Sequence, residues 1–111
     1  FGLLTGKFNK ETRFSKNDHR YFRLKPEFLS ELLESLDDAW HLAEKYNVDK
    51  STFALSFILN HSGVSTVIPG IKTPEQAEKN TKPIITIIED DMNMLHQLFE
   101  DKFNVLVDKM I

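Results

Sequence analysis

From Glu27 to Tyr46 the apolar residues recur with a period that one face of a helix collects and a strand would scatter. Leu29, Leu32, Leu33, Leu36, Trp40 and Ala43 fall three and four positions apart, while Glu31, Glu34, Asp37, Asp38, Glu44 and Lys45 take the other faces. The spacing predicts a helix over 27–46, with Asn47 ending it in the left-handed conformation that asparagine tolerates. A chain with such an element must lay it against a second apolar surface.

The sequence supplies one directly. Asp49 is placed to cap a helix over "KSTFALSFILNH", its acid at the positive end of the helix dipole. Phe53, Ala54, Leu55, Phe57, Ile58 and Leu59 make that helix apolar over much of its circumference, so it should be well buried. Ser62-Gly63 stops it. "VSTVI" at 64–68 is short and β-branched, the pattern of a strand covered on both faces. A short helix is expected from Thr73 to Asn80, and "IITII" at 84–88 reads as a possible second strand. Asp90-Asp91 then opens a last helix carrying Met94, Leu95, Leu98 and Phe99 on its apolar side. The fold class is mainly α with one or two short strands.

The chemistry concentrates in "VIPGIKTPEQ", residues 67–76. Thr73 can accept the amide of residue 76, Gln76 can reach back as in a capping box, and Pro74 has its φ already set for a first helical turn. Lys72 adds charge, and Gly70 lets backbone approach a ligand closely. Free helix amides, a hydroxyl and an ammonium can hold a phosphate. Strand, Pro-Gly turn and capped helix also occur widely without binding anything. The local residues leave both readings open.

Composition narrows the classes. With 111 residues the chain is one domain rather than two, and 41% hydrophobic with 28% charged residues is the balance of a globular protein. A net charge of −3 offers no general field for nucleic acid or anionic membranes, no apolar run reaches the roughly 20 residues of a membrane span, and a cytoplasmic protein is the default. There is no cysteine for a disulfide or a thiolate. Residues 8–26 are polar and basic, the pattern of a long solvated loop or lid. The histidines 19, 41, 61 and 96 are scattered; Asp37, Asp38 and His41 share a helix face but fall short of a coordination set, so no metal site is expected. Glu89, Asp90 and Asp91 read as helix-start acids.

Two motifs carry a family resemblance. "GVSTVIPGIKTPEQAEKN" (63–80) resembles the C-terminal signature of the aldo-keto reductases, and "GLLTGKFN" (2–9) resembles the loop after the seventh barrel strand of that family. Their order and separation also fit, with "YNVD" at 46–49 between them, and the resemblance runs to about residue 103. It implies a (β/α)8 barrel that binds NADP(H) without a Rossmann motif. Thr73 matches the hydroxyl near the 2′-phosphate, with Lys72 beside it. Gln76 matches a position at the adenosine end, and Asn80 a residue that bonds adenine. Leu3, Thr5, Gly6 and Lys7 match the loop over the pyrophosphate, and Gly70 lies in the turn between. Lys79 departs from the family, where many members carry Glu against adenine.

The resemblance also implies what these residues do not include. The family's catalytic Asp, Tyr, Lys and His come from early strands, and Lys45 and Tyr46 lie on an outer helix instead. The expectation is therefore a C-terminal fragment of a TIM barrel, unable to close a barrel alone. Residues 1–111 form a single partial domain: a cofactor-covering loop over 1–26 and a helical segment over 27–111. Such a chain holds no catalytic residues, binds NADP(H) weakly or not at all by itself, and is inactive alone. Its alternatives are a non-catalytic interaction module or a remnant that forms a homo-oligomer through apolar faces meant for the rest of the barrel.

Overall fold

A computed structural model of the chain describes residues 1–110, and every regular element among them is helical. After a 3₁₀ turn at Leu3–Thr5 come α1 (Arg20–Arg23), α2 (Pro26–Ser35), α3 (Asp37–Lys45), α4 (Lys50–Leu59), α5 (Pro74–Asn80) and α6 (Glu89–Leu98). A π-helical turn, Phe99–Phe103, leads from α6 into α7 (Asn104–Lys109).

The expected 27–46 helix is broken at Leu36, whose N–H bonds Leu33 in a tight turn. The break falls where the chain passes between two apolar clusters. Leu32 packs with Leu24 and Leu106, whereas Leu36, Ala39, Trp40, Leu42 and Ala43 join Phe53, Ile87 and Leu95. One straight helix would have to aim a single stripe at both. Asp37 and Asp38 sit in the first turn of α3, where acid complements the dipole. Asn47 takes φ 54°, as expected, and Val48 N–H returns to the Ala43 carbonyl.

Asp49 caps α4 through the Thr52 amide at 3.1 Å. The burial of α4 differs from the sequence expectation. Phe53, Thr52 and Ser56 are its buried residues, and Ile58 is exposed. The apolar circumference of this helix exceeds what its neighbours cover.

No β-strand occurs among the described residues, so the strand expected at 64–68 is not one. Residues 64–70 are irregular, and Ile68 is 96% exposed rather than covered on both faces. A strand is completed by ladder bonds to a partner, and no other described segment is a strand. At 84–88 the backbone is satisfied differently. The Asn60 amide donates to the Ile85 carbonyl (2.8 Å) and accepts the Ile87 N–H (3.0 Å). The Ser56 hydroxyl accepts the Ile85 N–H, and the Tyr46 hydroxyl accepts the Ile88 N–H. Three side chains thus replace the neighbouring strand. Ile87 is drawn into the core while Ile84 and Ile88 stay exposed.

Candidate functional site

The 3₁₀ turn at the start of the chain and the segment before α5 face each other across an open cleft of about 1050 Å³. Gly2, Thr5 and Lys7 line it from one side, and Gly70, Lys72, Gln76 and Asn80 from the other. The two sequence motifs, more than sixty positions apart, therefore meet at one place. Contacts of α4 with both the 3₁₀ turn and α5 hold them there.

Local chemistry sets each wall. Gly2 and Gly6 bracket the 3₁₀ turn with φ of 91° and 72°, and the Thr5 N–H and hydroxyl both donate to the Gly2 carbonyl. Gly6 has a further reason to be glycine, because a Cβ there would lie 2.6 Å from the Lys50 side chain. On the other wall, Thr73 caps α5 by accepting the Gln76 N–H (3.2 Å), with Pro74 in the first turn. Gln76 closes the reciprocal bond one residue earlier than a capping box would. Its Oε1 accepts the Lys72 N–H at 2.7 Å. Asn80 donates to the Gly70 carbonyl across ten residues. At Gly70 a Cβ would meet no protein atom within 4 Å, so packing places no demand for glycine.

Of the nine candidate residues read from the sequence, Thr5, Lys7, Gly70, Lys72, Gln76 and Asn80 line the cleft, and Leu3, Gly6 and Thr73 do not. Leu3 packs against the Leu24, Leu32 and Leu106 cluster. Gly6 lets the 3₁₀ turn approach Lys50, and the Thr73 hydroxyl is spent on capping α5. Lys79 lines the cleft too and adds a cation where the family pattern has an acid. Asp18, in the loop that precedes α1, and Arg20, the first residue of α1, complete the wall. Arg20 Nε donates to Asp18 Oδ1 at 2.9 Å, and these bonds hold the Asp18 carboxyl far below the usual carboxylate range. Nothing in the periodicity of residues 8–26 points to that pair. The run Asp18-His19-Arg20 does carry a local signal, since Asp18 Oδ1 also accepts the Arg20 amide.

The charge balance follows. Asp18 is neutralised by Arg20, while Lys7, Lys72 and Lys79 form no ion pair among the described residues. An acidic chain has gathered three free ammonium groups, three hydroxyls (Thr5, Ser15 and Ser51) and three carboxamides (Asn17, Gln76 and Asn80) around one opening. That set suits an anionic, hydrogen-bonding ligand.

Lys45, Tyr46 and Asp91 form a second polar cluster, buried at Asp91. Lys45 Nζ and the Tyr46 hydroxyl both donate to Asp91 Oδ2, at 2.7 and 2.6 Å. These bonds lower the Asp91 carboxyl, and burial, followed by the Asp91 bond, raises the Tyr46 phenol. With its hydroxyl donating to Asp91 and accepting from the Ile88 N–H, Tyr46 is a clamp between α3 and α6. Asp91 is thus more than a helix-start acid.

The aldo/keto reductase family profile matches residues 1–100. The chain belongs to that family. Neither a curated protein nor a solved structure shows a significant match. The family match spans both walls of the cleft and the helices that carry them. It stops within the π-helical turn at Phe99–Phe103. Among the described residues no helix is long and apolar enough to cross a membrane.

Proposed function

We propose that this chain is the cofactor-holding segment of an NADP(H)-dependent aldo/keto reductase, the last part of a (β/α)8 barrel, and that its cleft receives the 2′-phosphorylated adenosine end of the dinucleotide. The observation that carries the reading is the meeting of the two motifs at one opening ringed by Lys7, Lys72 and Lys79. NADP(H), when bound, supplies or accepts a hydride at its nicotinamide ring for a carbonyl or alcohol substrate. The residues here hold rather than react. Lys72 and Lys79 offset the charge of the 2′-phosphate. Gln76 and Asn80 each keep polar capacity beyond the bond that braces the loop, Nε2 of Gln76 and Oδ1 of Asn80, and these would bond the adenosine. Thr5 and Lys7 would hold the pyrophosphate, and Gly70 would let the ligand approach the backbone.

The reading assigns no carbonyl reduction to these residues alone, because Lys45 and Tyr46 are committed to Asp91. It also makes affinity weak. The cleft is open, and ligand surface left in water adds little binding. The test is a titration of the ¹⁵N-labelled chain with millimolar NADP⁺ followed by amide shifts. Movement at Lys7, Gly70, Lys72 and Asn80, with none in α7, supports it. An unchanged spectrum rejects it.

A second reading rests on a separate opening of about 500 Å³, lined by Trp40, Phe53, Phe57, Leu95 and Phe99. Its apolar rim, continued by Leu4, Ile58 and Val107, would be covered by a second copy of the chain, making the protein a self-associating module. A sedimentation series reading a concentration-independent monomer would remove this reading.

A further inference from the structure

His61 and His96 meet outside the cofactor cleft. One follows the C-terminal end of α4 and the other lies in α6, 35 positions apart, with Nε2 atoms 3.2 Å from each other and rings crossed at 81°. The Nδ1 of His61 lies 2.9 Å from the Phe57 carbonyl and 3.3 Å from that of Ile58. Both of those oxygens can only accept, so Nδ1 carries the hydrogen and Nε2 presents its lone pair toward His96. The Phe57 ring packs against both imidazoles, with centroids 4.9 Å from His61 and 5.6 Å from His96.

We infer that His61 and His96 form a two-histidine site for a borderline divalent ion of the Zn²⁺ class, linking the end of α4 to α6. With Zn–N bonds of about 2.05 Å, a 3.2 Å separation subtends about 103° at the metal, near the tetrahedral angle. Imidazole pairs suit Zn²⁺, Ni²⁺ and Cu²⁺ over Mg²⁺ or Ca²⁺, which require oxygen. The His61 bond to a backbone carbonyl is the outer contact that fixes tautomer and ring orientation at histidine metal sites. No third His, Cys, Asp or Glu joins the pair among the described residues, and His96 is exposed, so water fills the remaining positions. On binding, the His96 ring carries its hydrogen on Nδ1 and gives its Nε2 lone pair to the ion. No net proton or electron is exchanged between neutral histidines and the metal.

The site was not legible as a motif. His61 and His96 have no ligand spacing, and the packing of α4 against α6, with the Phe57 ring on both imidazoles, brings them together.

The test is a Zn²⁺ titration of the whole chain by calorimetry and by imidazole NMR. One equivalent is expected to bind, moving the His61 and His96 ring signals and leaving those of His19 and His41. His61→Gln and His96→Gln should each weaken Zn²⁺ by more than about tenfold, the smallest loss that removing only an outer contact produces. His41→Gln should bind as the unaltered chain does, and Mg²⁺ should not bind. If a variant fails to fold, the ring signals of the unaltered chain decide alone. Zn²⁺ shifts at His19 or His41 instead, or a His61→Gln, His96→Gln double variant within about threefold of the unaltered chain, overturn the assignment.

Discussion

Replacing Asp49 separates two jobs that one carboxylate performs. Its Oδ1 accepts the Thr52 amide as the cap of α4, and its Oδ2 takes the Thr52 hydroxyl and Lys82 at 2.9 and 3.0 Å. Lys82 lies just past α5, so this carboxylate also fixes the cofactor wall to α4. Burial works to raise the Asp49 carboxyl, but the bonds from Thr52 and Lys82 outweigh it and hold the group at about 2 against an ordinary 3.8. At about 1.4 kcal/mol per decade this corresponds to about 2 kcal/mol favouring the folded state, with the Lys82 share the smaller because that ammonium is half exposed. The folded value is depressed, so the contribution is complete above the unfolded value near pH 4 and disappears as pH falls towards 2. Asp49→Asn keeps an oxygen for the Thr52 amide but loses the charge and, at Nδ2, the acceptor of the Thr52 hydroxyl and Lys82. It should unfold about 2 kcal/mol more easily than the unaltered chain at pH 7, with the gap closing by pH 2. Asp49→Ala loses the cap as well, a further loss of about 1 kcal/mol at any pH. Urea unfolding by circular dichroism between pH 7 and pH 2.5 gives all three values. A gap between Asp49→Asn and the unaltered chain that stays constant with pH refutes the argument, as does an Asp49→Ala no weaker than Asp49→Asn.

Other substitutions probe the clamp and the cleft. Tyr46→Phe removes the bond to Asp91 and leaves the Ile88 amide without its acceptor, so urea unfolding should read a loss of about 1–2 kcal/mol. Gly6→Ala must hold φ at +72° against the Lys50 side chain, and a loss of about 1–3 kcal/mol is expected in the same assay. Gly70→Ala meets no protein atom and should leave stability within about 0.5 kcal/mol, while weakening NADP⁺ in the amide-shift titration. Lys72→Met should weaken NADP⁺ more than NAD⁺, because the charge it removes answers the 2′-phosphate.

The features legible in the sequence are those settled within one turn of chain. Asp49 and Thr73 act as caps because a cap's partner is always two or three residues ahead, and Asn47 turns left-handed for reasons in its own side chain. The apolar spacing over 27–46 identified the helical faces but missed the break at Leu36, which two separate clusters impose. "VSTVI" and "IITII" had strand composition, yet pairing is decided elsewhere in the chain. Asn60, Ser56 and Tyr46, between 25 and 42 positions away from the residues they bond, satisfy the second run without a strand. Distance in sequence also hid Asp91 as the acceptor of Lys45 and Tyr46. At the cleft, six of the nine candidate residues line the opening, while Leu3 packs into the core and Thr73 is spent on capping α5. Lys79 was visible as a departure from the family pattern, and the Asp18–Arg20 pair, bonded within its own turn, is brought to the cleft by packing.

The central claim is that the cleft between Thr5–Lys7 and Gly70–Asn80 reads the phosphorylated adenosine of NADP(H). Parallel amide-shift titrations of the chain with NADP⁺ and NAD⁺ at millimolar concentration test it most directly. The account predicts saturable shifts at Lys7, Gly70, Lys72, Gln76 and Asn80 with NADP⁺, and weaker binding of NAD⁺ to the same residues. Equal affinity for the two dinucleotides, or shifts confined to residues outside the cleft, would contradict it.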